Sequence, residues 1–321
     1  GVGSFLGQFA GVPTPALGAA AIRAALEHSG VPAADVQEVI MGCVLPAGLG
    51  QAPARQAALG TGLPLSAGCT TINKVCGSGM KATMLAHDLI LAGSNEVMVA
   101  GGMESMSNAP YLLPKARAGY RLGHGQILDH MFLDGLEDSY SKENKGRLMG
   151  TFAEDCAGHF NFTRQAQDEF AIASTTRAQA AINNGDFSWE VVPVTVASRK
   201  GDVVVDKDEQ PLKAQIDKIP SLKPAFKKDG TVTPANSSSI SDGAAALVLM
   251  RKSTAEKLGV KPVATIIGHA THAQEPALFT TAPVGAMQKV LAKAGWSTEQ
   301  VDLWEINEAF AVVTMAAMHE M

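Results

Sequence analysis

Thr70-Thr71-Ile72-Asn73-Lys74-Val75-Cys76-Gly77-Ser78-Gly79-Met80-Lys81-Ala82 leads from a short β-like segment into a helical pattern, through a cysteine followed by glycines. The order places Cys76 at the N-terminus of a helix. There, free backbone N–H groups and the positive end of the helix dipole favour a thiolate, so the pattern predicts a thiol drawn from about 8.5 toward neutrality. Gly77 and Gly79 carry no Cβ, which lets a carbonyl approach the sulfur and aim its oxygen at backbone donors, as acyl transfer requires. Cys76 is therefore the candidate nucleophile. The plainer reading of a free cysteine, a small buried hydrophobe, is adopted for Cys43, Cys69 and Cys156. None of the four lies in a Cys-x-x-Cys or zinc-ligand spacing, so neither a disulfide framework nor a metal site is expected, and a reducing, intracellular compartment fits.

The same segment admits a rival. Gly77-Ser78-Gly79-Met80-Lys81-Ala82 matches the Gly-x-Gly-x-x-Gly/Ala dinucleotide fingerprint, with Glu96 about 20 residues on. Asn73 and Lys74 make the preceding run a poor central strand, however, and Glu96 opens an apolar run where the fingerprint needs an acid at a strand's end. The nucleophile reading is preferred.

Composition bounds the rest. The 321 residues, 46% hydrophobic and 18% charged, describe a globular chain with a large core, long enough for two domains. A net charge of −5 gives no reason to expect nucleic acid as a partner. The longest apolar runs, such as Ala244 to Met250, fall well short of the ~20 residues that span a bilayer, and Gly1-Val2-Gly3-Ser4 has no signal-peptide character. A soluble, cytoplasmic protein without a membrane partner is expected.

Residues 14 to 104 alternate helical patterns with apolar runs, the signature of α/β layering. From Pro110 to about Ser239 the alternation gives way to glycine, charge and short helices, with Lys213, Lys218, Lys223, Lys227 and Lys228 clustered late. Alternation then resumes. An internal repeat also emerges: Ile22, Leu26, Gly30, Val31 and Val36 correspond to Met287, Leu291, Gly295, Trp296 and Val301 at an offset of 265 residues. Each unit is a helix ending at glycine and then entering a β-like run.

Taken in order, Asn73-Lys74-Val75-Cys76-Gly77-Ser78-Gly79, Ala100-Gly101-Gly102-Met103-Glu104-Ser105-Met106-Ser107, Asn236-Ser237-Ser238-Ser239-Ile240-Ser241-Asp242-Gly243 and Asn307-Glu308-Ala309-Phe310-Ala311 resemble the thiolase family, its acetyl-CoA acetyltransferases in particular. The resemblance covers essentially the whole chain. It implies an α/β thiolase fold: two duplicated βαβαβαββ halves in a five-layer αβαβα arrangement with an inserted loop subdomain. The N-terminal half would be 1–108 completed by 240–259, the loop subdomain for CoA binding and tetramerisation 109–239, and the C-terminal half 260–321. The resemblance also implies that a strand before Gly1, and a C-terminal catalytic segment beyond Met321, belong to the family pattern. The family's Gly-His-Pro histidine and Cys-x-Gly cysteine have no matching motif here, so their roles fall on no residue of this sequence. A chain ending at Met321 would accordingly be expected to condense acetyl-CoA poorly or not at all.

The resemblance implies further roles. Cys76 would take an acyl group from an acyl-CoA, and Asn307 would hold a water that stabilises the enolate of the second acetyl-CoA. Ser238 would bond the pantetheine of CoA, Met149 and Leu148 would lie near the acyl and pantetheine pocket, and Phe226 would pack near the adenine. Leu148 departs from the histidine of many short-chain members. On the residues alone, Ser238 reads as a turn serine, Met149 as core filler, and the lysines as a solvated face rather than a contact to the CoA phosphates. His269 and His272 lack a third ligand and read as structural; Glu308 reads as an orienting residue. The function expected is acetyl-CoA C-acetyltransferase, condensing two acetyl-CoA to acetoacetyl-CoA and CoA, and the reverse thiolysis. No cofactor is expected to be permanently bound; CoA thioesters are the substrates. The assembly implied is a homotetramer, a dimer of dimers, with the loop Tyr111 to His124 joining dimers. The alternatives are a thiolase-like acyl-CoA-binding protein without condensing activity, a longer-chain 3-ketoacyl-CoA thiolase, and a nicotinamide-dependent enzyme.

Overall fold

Val39, Ile40 and Met41 are consecutive and all buried, because alternate side chains of one strand serve opposite faces of a sheet. Val39 and Met41 pack with Ile22, Leu26, Ala54, Ala57 and Ala58 on one face, while Ile40 meets Ala82, Ala86 and Ile90 on the other. The computed structural model describes residues 1–199 and 201–321. Two compact units emerge, one of residues 1–135, 186–210 and 240–265, the other of 136–185, 211–239 and 266–321.

In the first unit the chain runs β1 (Gly3–Ser4), α1 (Thr14–Ser29), β2 (Glu38–Gly42), α2 (Pro53–Leu59), β3 (Gly68–Ile72), α3 (Ser78–Ala92) and β4 (Val97–Ser105). Two small hairpins follow, β5 (Tyr111–Leu112) with β6 (Leu128–Asp129), and β7 (Val194–Val196) with β8 (Val203–Val205). The long strand β9 (Ser241–Met250) returns to the main sheet and precedes α7 (Lys252–Leu258). Among the described residues that sheet has five strands in the order β1-β9-β4-β2-β3. β2 is parallel to both neighbours, in register Ile40 to Thr70 and Ile40 to Ala100, whereas β9 runs antiparallel to β4. The strand carried by Thr70 to Ile72 is thus an edge strand, which explains its polar character. Each fully buried aliphatic side chain here, Ile22 or Val39 for instance, contributes roughly 1.5–3 kcal/mol.

The second unit holds α4 (Met149–Phe160), α5 (Arg164–Asn184), α8 (Ala282–Ala294) and α9 (Ala311–Glu320); the short α6 (Glu209–Lys213) falls where the chain passes from one unit to the other. Phe152, Ala153, Val312, Val313 and Ala316 are buried, with Phe226, Phe279 and Phe310 packed edge-on or tilted among them. The repeat recurs in geometry. α1 ends on Gly30 at φ 68°, whose N–H reaches Leu26 and Glu27; α8 ends on Gly295 at φ 69°, whose N–H reaches Leu291 and Ala292. A single 3₁₀ turn follows each, Ala33–Asp35 and Thr298–Gln300, at the same offset. The correspondence then stops at the strand. Residues 303–307, the counterpart of β2, form no regular element and have no ladder partner among the described residues. In the first unit β2 is flanked by β4 and β3, and β1 pairs only with β9, so the counterparts of β1 and β2 are not neighbours and have no mutual ladder to make. No helix among the described residues is long and apolar enough to cross a membrane.

Candidate active site

β3 ends at Ile72 and α3 begins at Ser78, so five residues make the turn that carries Cys76. Asn73 organises it: its side-chain oxygen accepts from the Val75 N–H at 2.8 Å, and its amide donates to the Val44 carbonyl at 3.3 Å. The Ser78 hydroxyl donates to the Val75 carbonyl at 2.6 Å and accepts from the Lys74 N–H at 2.8 Å. Held between them, Val75 takes φ 47°, a left-handed conformation that is strained for a β-branched residue. The turn presents Cys76 to solvent at the head of α3. Glycine makes the close seating possible, since a Cβ on Gly42 would lie 2.5 Å from Ser78 Cβ and 2.7 Å from its carbonyl carbon. Gly102 and Gly79 meet on the same surface, a Cβ on the former falling 3.5 Å from the Cα of the latter.

The electrostatics correct one expectation. The thiol of Cys76 is pushed above its ordinary value: protein crowding around the sulfur disfavours the thiolate, its own backbone N–H pulls the other way, and the Glu104 carboxylate adds to the rise. Although the residue is solvent-exposed, the helix terminus does not offset this desolvation. Cys43 and Cys156 are buried, as expected for core cysteines, and burial pushes Cys43 up to about 12, helped by neighbouring Glu104. Cys69 is half-buried beside Arg55.

Glu104 is a residue that sequence reasoning quoted without assigning a role. Burial raises its carboxyl above the usual range, opposed by bonds from the Val44 and Leu45 N–H groups at 2.7 and 3.0 Å and from the Cys43 thiol at 3.6 Å. Nearby, buried His130 accepts from the Ala47 N–H at Nε2, 3.4 Å away, which leaves Nδ1 to donate to Asp134. The only sequence-level signal was an acid closing an otherwise apolar run.

The second unit gathers the remaining candidates. Segment 236–238 lies alongside 309–311: the Ser238 N–H donates to the Ala309 carbonyl and the Ala311 N–H to the Asn236 carbonyl, both at 2.9 Å. This brings the loop of Ser238 beside the turn of Asn307, and both residues are exposed. Leu148 caps α4 and Met149 begins it; Phe226 lies over Gly150, where a Cβ would sit 2.3 Å from the ring, and meets Phe310 at 6.1 Å between centroids. Glu154 holds the Phe226 loop, accepting from the Thr231 and Val232 N–H groups at 2.9 and 2.8 Å. Asn236 is buried, accepting from the Thr233 N–H at 2.7 Å and donating to the Thr231 carbonyl at 3.0 Å and to Asp168 at 3.4 Å. Asp168 in turn pairs with Arg164 at 2.7 Å. Glu308 accepts from the Ser174 hydroxyl at 2.7 Å. His272 bonds Gln274 and packs on Gly285, away from any ligand set within this unit.

The family model of the thiolase N-terminal domain matches residues 1–253, and that of the thiolase C-terminal domain matches 260–321. The chain belongs to the thiolase family. Acetyl-CoA acetyltransferase 2 of Arabidopsis thaliana is 52% identical over 98% of this chain and 78% of its own length. Acetyl-CoA acetyltransferase of Cupriavidus necator is 48% identical, across all of this chain and 81% of its own. Among solved structures, an acetyl-CoA acetyltransferase from Syntrophomonas wolfei superposes with a TM-score of 0.94 at 39% identity, covering 99% of this chain and 79% of that one. A thiolase from Ascaris suum, solved in complex with coenzyme A, gives 0.92 at 39% identity over 99% and 81%. The α/β thiolase fold expected from the motifs is therefore the fold of this chain. In this thiolase no periodicity announces the Glu104 cluster or the Glu154 and Asn236 clamps, because Glu104 bonds Leu45, Glu154 bonds Thr231 and Asn236 bonds Asp168 across 59, 77 and 68 residues.

Proposed function

We propose that this thiolase is an acetyl-CoA C-acetyltransferase, an acyltransferase that condenses two acetyl-CoA to acetoacetyl-CoA and free CoA and catalyses the reverse thiolysis. The observation carrying the reading is Cys76 itself, exposed on a strained, glycine-seated turn at the head of α3 in a chain about half identical to acetyl-CoA acetyltransferases. In the first step the Cys76 sulfur attacks the thioester carbonyl, a new S–C bond forms, and the CoA thiolate departs. The Cys76 N–H, which faces its own sulfur in the resting protein, is offered to the carbonyl oxygen of that intermediate. In the second step the α-carbon of acetyl-CoA, having lost a proton, attacks the acyl-cysteine; the C–C bond forms and the Cys76 thiolate leaves. Asn307 holds the water that faces the enolate oxygen. The proton transfers are assigned to no side chain among residues 1–321.

CoA recognition is assigned to Ser238, for the pantetheine, and to Leu148, Met149 and Phe226. Their support is the shared packing of α4, the Phe226 loop and the 236–238 segment in one unit. The same reading keeps 1–108 with 240–259 as one half, 109–239 as the loop subdomain and 260–321 as the other half, supported by the recurring helix, glycine cap and 3₁₀ turn. It also assigns a cytoplasmic, lipid-metabolic role and a dimer-of-dimers assembly. The exposed Tyr111, Leu113, Leu122 and Ile127 around the β5–β6 hairpin suit such a contact.

Thiolysis of acetoacetyl-CoA by the full-length protein, followed through loss of the β-ketothioester absorbance, tests the activity. Turnover that disappears in Cys76→Ala supports it. Turnover only with longer 3-ketoacyl-CoA, or binding without turnover, would select the alternatives instead.

A further inference from the structure

The peptide joining Val44 to Leu45 is gripped at both ends. Its N–H, that of Leu45, is taken by the Glu104 carboxylate at 3.0 Å, and its carbonyl, that of Val44, receives the Asn73 amide at 3.3 Å. Asn73 spends its remaining oxygen on the Val75 N–H at 2.8 Å, and Val75 is the left-handed residue whose conformation directs Cys76. A conformation of that kind persists only where neighbours hold it. Glu104 is also braced by the Val44 N–H of the preceding peptide at 2.7 Å and by the Cys43 thiol. A peptide whose N–H is bound by a charged acceptor is polarised, which makes its carbonyl a better partner for Asn73.

We propose that Glu104 is a positioning residue for the nucleophile, acting through the Val44–Leu45 peptide and Asn73 on the strained Val75 to aim Cys76. The proposal rests on the reading of Cys76 as the acyl acceptor. The half-buried carboxylate has a second consequence, because its charge adds to the desolvation that raises the Cys76 thiol. The other titratable groups around it are Cys43 and His130, the latter paired with Asp134, while Lys74 lies on the turn itself.

The test compares Glu104→Gln, Glu104→Asp and Asn73→Ala with the wild type in the full-length protein. Three quantities are read: kcat and KM for acetoacetyl-CoA thiolysis, the pH profile of iodoacetamide alkylation at Cys76, and amide hydrogen exchange of the peptide covering Val75. Misplacing a reacting group by about 1 Å costs up to ~100-fold, so kcat is expected to fall about 10- to 100-fold in Glu104→Gln and Asn73→Ala, with KM for the thioester within about threefold. Val75 exchange accelerates in both. The alkylation profile moves to lower pH only in Glu104→Gln, where the charge is lost, and stays in place in Glu104→Asp and Asn73→Ala. A Glu104→Gln enzyme with wild-type kcat and wild-type Val75 exchange overturns the proposal. So does a loss in Glu104→Gln unmatched in Asn73→Ala, which would mean that Glu104 acts by another route. If the wild type lacks thiolysis altogether, the functional reading fails separately, and the exchange comparison still decides whether the relay exists.

Discussion

At the scale of single residues, Cys76 combines exposure with a thiol that is harder to ionise than an ordinary one. A raised thiol pKa means that the reactive thiolate is scarce at neutral pH and accumulates only above the usual cysteine range. Site-resolved alkylation should therefore label Cys76 ahead of buried Cys43 and Cys156, at a rate that climbs through pH 8.5 and beyond rather than levelling off near 7. Labelling of Cys43 first, or a plateau near pH 7, would contradict this. Gly42 supplies a second prediction: Gly42→Ala drives a methyl into the backbone at Ser78 and should cost about 1–3 kcal/mol in denaturant unfolding while displacing the Cys76 turn. The place of Cys76 at the head of α3 was legible in the sequence because a cysteine ahead of Gly-x-Gly is a local pattern. Its ionisation was not, because desolvation and the Glu104 charge arise from residues brought in by β2 and β4.

At the scale of elements, helices were the most readable features. The 265-residue repeat predicted two helices ending at Gly30 and Gly295, and both end there in the left-handed conformation. The paired strands were less readable, since a strand exists only when a neighbour lies beside it, and residues 303–307 hold the place of β2 in the repeat without a ladder partner among the described residues. The pairing of 236–238 with 309–311 was invisible for the same reason, although both segments had been singled out. It can be probed cleanly. Ala311 opens α9 after Phe310 at φ −146° and ψ 154°, so proline is compatible with the helix start and with the residue before it. Ala311→Pro thus deletes chiefly the N–H bond to the Asn236 carbonyl. The expected loss is about 1 kcal/mol of stability, together with a severalfold rise in KM for CoA thioesters as Ser238 and Asn307 lose their shared support. An unchanged KM would separate that pairing from substrate binding.

At the scale of the whole molecule, the order of the four motifs carried the family assignment, and the match of family models to residues 1–253 and 260–321 agrees with it. An exposed β3 edge and the exposed apolar residues near the β5–β6 hairpin lead us to expect an assembly larger than a monomer in light scattering at micromolar concentration; a monomer would count against that assembly. The central claim is covalent catalysis at Cys76, and the most direct measurement of it is mass spectrometry of the full-length protein quenched after mixing with acetyl-CoA, followed by peptide mapping. The account predicts one acetyl group on the peptide containing Cys76, discharged when free CoA is added and missing in Cys76→Ala. Acetyl transfer to another residue, or a Cys76→Ala protein that still acquires the group and still thiolyses acetoacetyl-CoA, would contradict it.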